Sequence, residues 1–291
     1  MAESVGDSER GVATGERPAG KQSASGNRLL AVVRYEAGRK VRGSLALSAL
    51  LTVLTVMYVG LYPSITASGV DLDAYIQSLP PAFQEAFGVS TLSTIEGFLA
   101  VELYQFAWVL LLGVYFAYSA ASLVADDVEH DRMDLLLSTP TPRGTVVVGK
   151  FLSMLVPIVV VNAVVFVAVL VSTTLIDEPV ALVDLLAAHA LSIPYLLACS
   201  ALGLLLSVTL DRASIAQRGA IGVVFGLFLL ETVTANTDFE WVGALAPTRY
   251  YDPTAVLVDG EYGLVGATIL FGATVVLVAV ARAWFQRRDL A

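Results

Sequence analysis

FLSMLVPIVVVNAVVFVAVLVSTTLI, from Phe151 to Ile176, runs for 26 positions without a charged residue. About 30 Å of hydrocarbon, at about 1.5 Å of rise per residue, asks for roughly 20 apolar residues in a helical span. This stretch meets that length and contains one strongly polar side chain, Asn162. A single span must satisfy its own backbone hydrogen bonds in lipid, so the stretch is a transmembrane helix.

Working outward, the same reading applies five more times. Ser44–Ile65 and Leu103–Val124 carry no charge. Val183–Val208 holds Asp184 near one end and His189 further in. Ile215–Ala235 includes Arg218 and Glu231 near opposite ends, and Leu264–Phe285 has Arg282 in its last turn. A β-barrel would show short alternating segments, and none occur. The expected fold class is therefore all-α: a polytopic membrane protein with six transmembrane helices over residues 44–291. The composition agrees. The chain is 56% hydrophobic and 15% charged, against a usual charged share of about 25%.

Lys and Arg set the expected orientation. With the N-terminus inside, sixteen of the seventeen fall on the inner side, and only Arg249 falls outside. Short loops obey the positive-inside rule, so both termini are expected in the cytoplasm of a cell (plasma) membrane protein. Residues 1–27 are polar, lack the apolar core of a signal peptide, and read as a disordered tail. Arg28–Gly43 places Leu29, Val33, Ala37 and Val41 at every fourth position among five cations. That pattern describes a basic amphipathic helix in the inner interface, the alternative being an extension of span one with snorkelling cations.

The net charge is −9 and only three of the basic residues are Lys. Acidic, Lys-poor surfaces suit concentrated salt, where repulsion is screened, so a salt-loving source is one reading. A GC-rich genome favouring Arg is the other. The balance argues against a nucleic-acid partner. The one cysteine, Cys199, lies within span four and reads as a core thiol.

Chemistry is sparse. Gly144–Lys150 imitates the first seven positions of a P-loop, but Phe151 stands where a hydroxyl must meet Mg²⁺, and a membrane span follows instead of a soluble helix. No catalytic cluster is visible, and His130 and His189 fall on opposite sides of the membrane. Asn162 and His189 are the candidate intramembrane polar sites. Asp184 and Glu231 lie closer to the outer surface, where hydration is cheap. No cofactor is expected on this chain.

The loop between spans two and three is the most informative stretch: ADDVEHDRMDLLLSTPTPRGTVVVGKF, from Ala125 to Phe151. It starts acidic, forms a short apolar helix at Asp134–Ser138, turns at Pro140 and Pro142, and reaches Arg143 and Lys150 before the next span. It resembles the corresponding loop of ABC-2 type transporter permeases. The matching positions are Asp127 and Glu129, the run Leu135, Leu136 and Leu137, then Ser138, Pro140, Arg143 and Lys150. The sequence departs at Asp131-Arg132, where Gly-Thr is common in the family. The basic segment before span one is similar to the family's elbow helix. Ser78–Leu99 and Ala244–Pro253 look like its outer loops.

The resemblance implies a mechanism. A separate ABC ATPase subunit, with ATP and Mg on that partner, would dock on the coupling segment around Glu129–Pro140. This chain would work as a homodimer or as a heterodimer with a second permease, and would act as an exporter. It would not be an enzyme by itself. The alternatives from the residues alone are an ATP-independent secondary transporter or channel, or a structural subunit of a membrane assembly. The first usually carries a mid-membrane acid, which is missing here.

Overall fold

A computed structural model of the chain describes residues 20–68, 72–78, 91–130, 142–235 and 237–287. Among these residues six helices are long and apolar enough to cross a membrane, and no strand is present. Helix α1 (Gly20–Ala67) carries span one, and a short α2 (Leu72–Gln77) follows it. Span two is composite. It comprises α3 (Ile95–Leu99), a π-helical stretch Ala100–Leu112, α4 (Gly113–Ala121) and, after a turn, α5 (Ala125–Glu129). Span three consists of α6 (Arg143–Leu152) and α7 (Leu155–Leu175). Spans four and five are α8 (Leu182–Thr209) and α9 (Ala213–Thr234). Three short pieces, α10 (Glu240–Gly243), a 3₁₀ turn Pro247–Tyr250 and α11 (Pro253–Leu257), lead to span six, α12 (Leu264–Arg287).

Two differences from the sequence reading have local causes. The basic segment and span one are expected to be separate pieces, with a border at 43, whereas α1 runs unbroken from Gly20 to Ala67; residues 1–19 of the expected polar tail lie outside the described residues. The basic segment is helical and lies against α6, with Leu29 and Val32 seated over Gly149. Span two starts at Ile95, eight positions before the expected Leu103. Thr94 opens it as an N-cap, its side chain accepting from the Gly97 N–H.

Pro157 explains the break in span three. It has no N–H to give to the Ser153 carbonyl, and its ring crowds that carbonyl. Accordingly α6 stops at Leu152 and α7 resumes at Leu155. Pro194 lies inside α8 without ending it.

Spans two and four are the most enclosed, and spans five and six the least. Helix α8 packs against α4 and α12, and α1 packs along α7. At Gly203 an added Cβ would come within 2.1 Å of the Ala117 carbonyl oxygen, so the backbones of spans two and four touch there. Tyr104, Trp108, Phe116 and Tyr195 are wholly buried between these spans. The peripheral helices show apolar side chains outward, such as Val53, Phe225 and Phe271, as lipid-facing surfaces do. Many span hydroxyls are used within their own helix. Ser44, Ser48, Thr55, Thr173, Ser200 and Thr274 each donate to the carbonyl four residues back.

Candidate functional site

The two sets of polar residues singled out in the sequence form two separate clusters. The first lies at the end of the bundle where α5 stops and α6 begins. Lys150, in the last turn of α6, is 2% exposed. Its Nζ reaches Glu36 Oε1 and Asp127 Oδ2, each at 2.7 Å. Glu36 and Asp127 are themselves buried. Lys40, one turn along α1, lies 3.8 Å from Glu36 and donates to Ser153 Oγ at 2.8 Å. Ser153 Oγ in turn donates to the Lys150 carbonyl at 2.6 Å. Two cations and two carboxylates thus close on one another, and they tie α1, the end of span two and the foot of span three together.

The local reasons are readable. Lys150 falls on the same face of α6 as Val146 and Val147, which are buried, so its helix turns it inward. Asp127 is in the first turn of α5, where a carboxylate is favoured by the free N–H groups of the helix start. Ser207 of α8 fixes that start, its hydroxyl oxygen accepting from the N–H groups of Val124 and Ala125 at 2.9 and 3.0 Å.

Glu129 makes a second tie. Its Oε2 accepts from the Ala213 N–H at 2.8 Å, at the first residue of span five. Arg143 opens α6. Arg132, Leu135, Leu136 and Pro140, with the expected short helix at Asp134–Ser138, lie outside the described residues. The ends of that link are nevertheless fixed. One end holds Asp127 and Glu129, the other Arg143 and Lys150. The sequence reading missed Glu36, Lys40 as an ion partner, Ser153 and Ser207. Glu36 had a signal, being the sole acid among the cations of Arg28–Arg42.

The second cluster is neutral and sits inside the bundle. Tyr104 Oη lies 2.9 Å from His189 Nε2, and His189 Nδ1 lies 3.1 Å from Asn162 Oδ1. Asn162 Oδ1 also accepts from Ser192 Oγ at 2.9 Å, and its Nδ2 donates to the Ile158 carbonyl. Because Asn162 presents an oxygen, Nδ1 of His189 carries the proton, and Nε2 accepts from the tyrosine hydroxyl. All these bonds are satisfied with no net charge. Trp108 and Phe166 close edge-on against the imidazole. Asn162 and His189, named separately from the sequence, are therefore one junction of spans two, three and four. The third member, Tyr104, lies on the π-helical stretch.

The opposite end of the bundle is braced by Arg249, the lone cation expected there. It pairs with the Glu240 carboxylate and lies 3.7 Å from Glu231. Asp184 accepts from the Tyr262 hydroxyl at 2.6 Å.

Six apolar helices round a neutral polar junction, with ions gathered at the ends, define a multi-pass membrane protein. The family model described as ABC-2 family transporter protein matches residues 30–290. The chain belongs to that family and is a membrane permease subunit of an ABC transporter. Among curated proteins, none is similar enough to match it.

Proposed function

We propose that this permease moves its substrate outward across the plasma membrane, using ATP hydrolysed by a separate ATPase subunit docked on the 131–141 link. The termini and that link then face the cytoplasm, and two permease copies, identical or similar, form the pathway. The observation that carries the reading is the anchoring of the link. Its N-terminal end is tied to spans three and five through Asp127 and Glu129, and its C-terminal end to spans one and two through Lys150. A force applied to the link reaches four spans through short, buried or charge-assisted contacts. Such a force biases transport only if ATP binds the two arrangements with different affinity.

The test is co-expression with an ABC ATPase encoded beside the permease, followed by co-purification and vesicle transport. Leu136→Ala is expected to release the ATPase while the permease stays folded. Glu129→Ala is expected to keep the ATPase bound and lower the transport stimulated by ATP. Full transport by the permease alone, without any ATPase, would overturn the reading.

A further inference from the structure

A groove of about 530 Å³ runs between spans three, four and six at the charged end of the bundle. Its wall is apolar, with Phe151, Leu155, Leu197, Phe271, Val275 and Val278. The one hydroxyl in it, Thr274 Oγ1, is already given to the Leu270 carbonyl at 2.8 Å. The wall therefore offers an occupant nothing to hydrogen-bond, and what lies along it must be hydrocarbon. The mouth differs. Arg282 and Gln286 border it, and both fold over Gly144, where an added Cβ would meet Gln286 Nε2 at 2.6 Å and Arg282 Nε at 2.7 Å. Gly144 thus leaves the room that the Arg282 and Gln286 side chains occupy against the first turn of α6. No carboxylate among the described residues pairs with Arg282.

The groove's length identifies its depth in the membrane. Phe271 and Arg282 are eleven residues apart on α12, or about 16 Å at about 1.5 Å per residue. One leaflet of a hydrocarbon core of about 30 Å is about 15 Å deep. The mouth also sits where headgroups belong, because the largely exposed Trp284 and the cation Arg287 flank it on the same helix.

From this geometry we infer that the groove is a binding site for an anionic phospholipid of the bilayer, one acyl chain lying along Phe271–Val278 and the phosphate held at Arg282 and Gln286. The site does not depend on the proposed ATPase coupling or on the direction of transport. An acyl chain there would wedge between α6 and α12, next to the foot of span three that carries Lys150.

The full chain, purified in detergent, can be tested by native mass spectrometry with two added probes, palmitoyl-oleoyl phosphatidylglycerol and the matching phosphatidylcholine. The wild-type protein is expected to retain the anionic lipid preferentially. Arg282→Gln should lower that retention about fivefold, the usual contribution of one cation near an anionic surface, and lower that of phosphatidylcholine, whose phosphate is balanced by its own ammonium, by less. Arg282→Lys should keep most of the preference, which separates loss of charge from loss of fold. Val275→Trp, which fills the groove from its exposed side, should lower retention of both lipids. Equal retention of the two probes by the wild type would overturn the proposal, as would an Arg282→Gln variant that keeps its lipid within about twofold. Loss of a dimer in Val275→Trp with lipid retention unchanged would overturn it too, by giving the groove to a second copy.

Discussion

The two polar clusters of this permease sit about 18 Å apart along span three, from Lys150 to Asn162 at about 1.5 Å per residue. They solve the same problem with different chemistry. At the end of the bundle, three ionised groups meet within 2.7 Å contacts. In mid-bundle, three spans are joined by neutral donors and acceptors only. The difference follows from the cost of burial. A charge taken from water costs several kcal/mol and must be matched by an opposite charge, whereas a neutral hydrogen bond in hydrocarbon costs little once both partners are met. Ions are therefore placed where the helices end and headgroups or water are near. The deeper junction carries no charge to be stranded if the spans shift.

The comparison breaks most visibly at Lys150. Lys150→Met would remove the cation that the buried Glu36 and Asp127 share, and removing one partner of a buried ion pair costs about 3–5 kcal/mol. Denaturant unfolding of the purified chain in mixed micelles is expected to show a loss of that size. Adding Asp127→Asn to the same chain should recover most of it, because Glu36 then keeps Lys40 as its partner. A loss under about 1 kcal/mol for the single variant would mean that the cluster is hydrated and braces nothing.

The junction should yield less. Hydrogen bonds between membrane helices average about 0.6 kcal/mol and reach about 1.7. His189→Ala removes two of them and leaves a small void, so about 2 kcal/mol is the expected loss in the same unfolding experiment. Tyr104→Phe, which deletes one bond and no volume, should cost about 0.6 kcal/mol. If His189→Ala proved more damaging than Lys150→Met, the neutral junction and not the ion cluster would be the principal tie among the spans.

How much of this was legible in the sequence depends on what each feature leaves in the residue pattern. The six spans were readable because hydrocarbon thickness imposes a length, and length survives any detail of packing. Asn162 and His189 stood out because polar residues are rare inside a span. Their partnership did not, since the contact joins residues 27 apart on different helices. Tyr104 was hidden among eleven tyrosines, and the π-helical stretch that carries it has no periodic signature. Lys150 was read as a cation in the loop before a span. In the structure it turns inward on α6, and only the lone acid Glu36 among the cations of the basic segment hinted at a partner. The break before α7 was half visible: Pro157 announced a kink, but Pro194 made the same announcement in α8 and no break followed.

The smallest expected effect lies at the far end of the molecule, and it extends the contrast to a charge that is only partly buried. Asp73, in the first turn of α2, accepts from the Leu92 N–H at 2.9 Å, from Thr91 Oγ1 at 3.1 Å and from Ser93 Oγ at 2.7 Å. These bonds, the Leu92 N–H first among them, hold its carboxyl below the usual aspartate range. A lowered acid binds its proton less readily when the tie is made than when it is open. The tie therefore contributes fully above the ordinary value of about 3.9 and is lost as pH falls below that, through the lowered value. Hydrogen exchange at the Leu92 amide should show protection at neutral pH that fades in acid. Asp73→Ala should abolish this protection at every pH, with no change in the unfolding of the spans. Protection that persists in Asp73→Ala would mean that the chain entering span two is held by its own turn and not by the carboxylate. A loss that spread to the spans would mean that a partly buried charge at this end matters as much as the buried ones at the other.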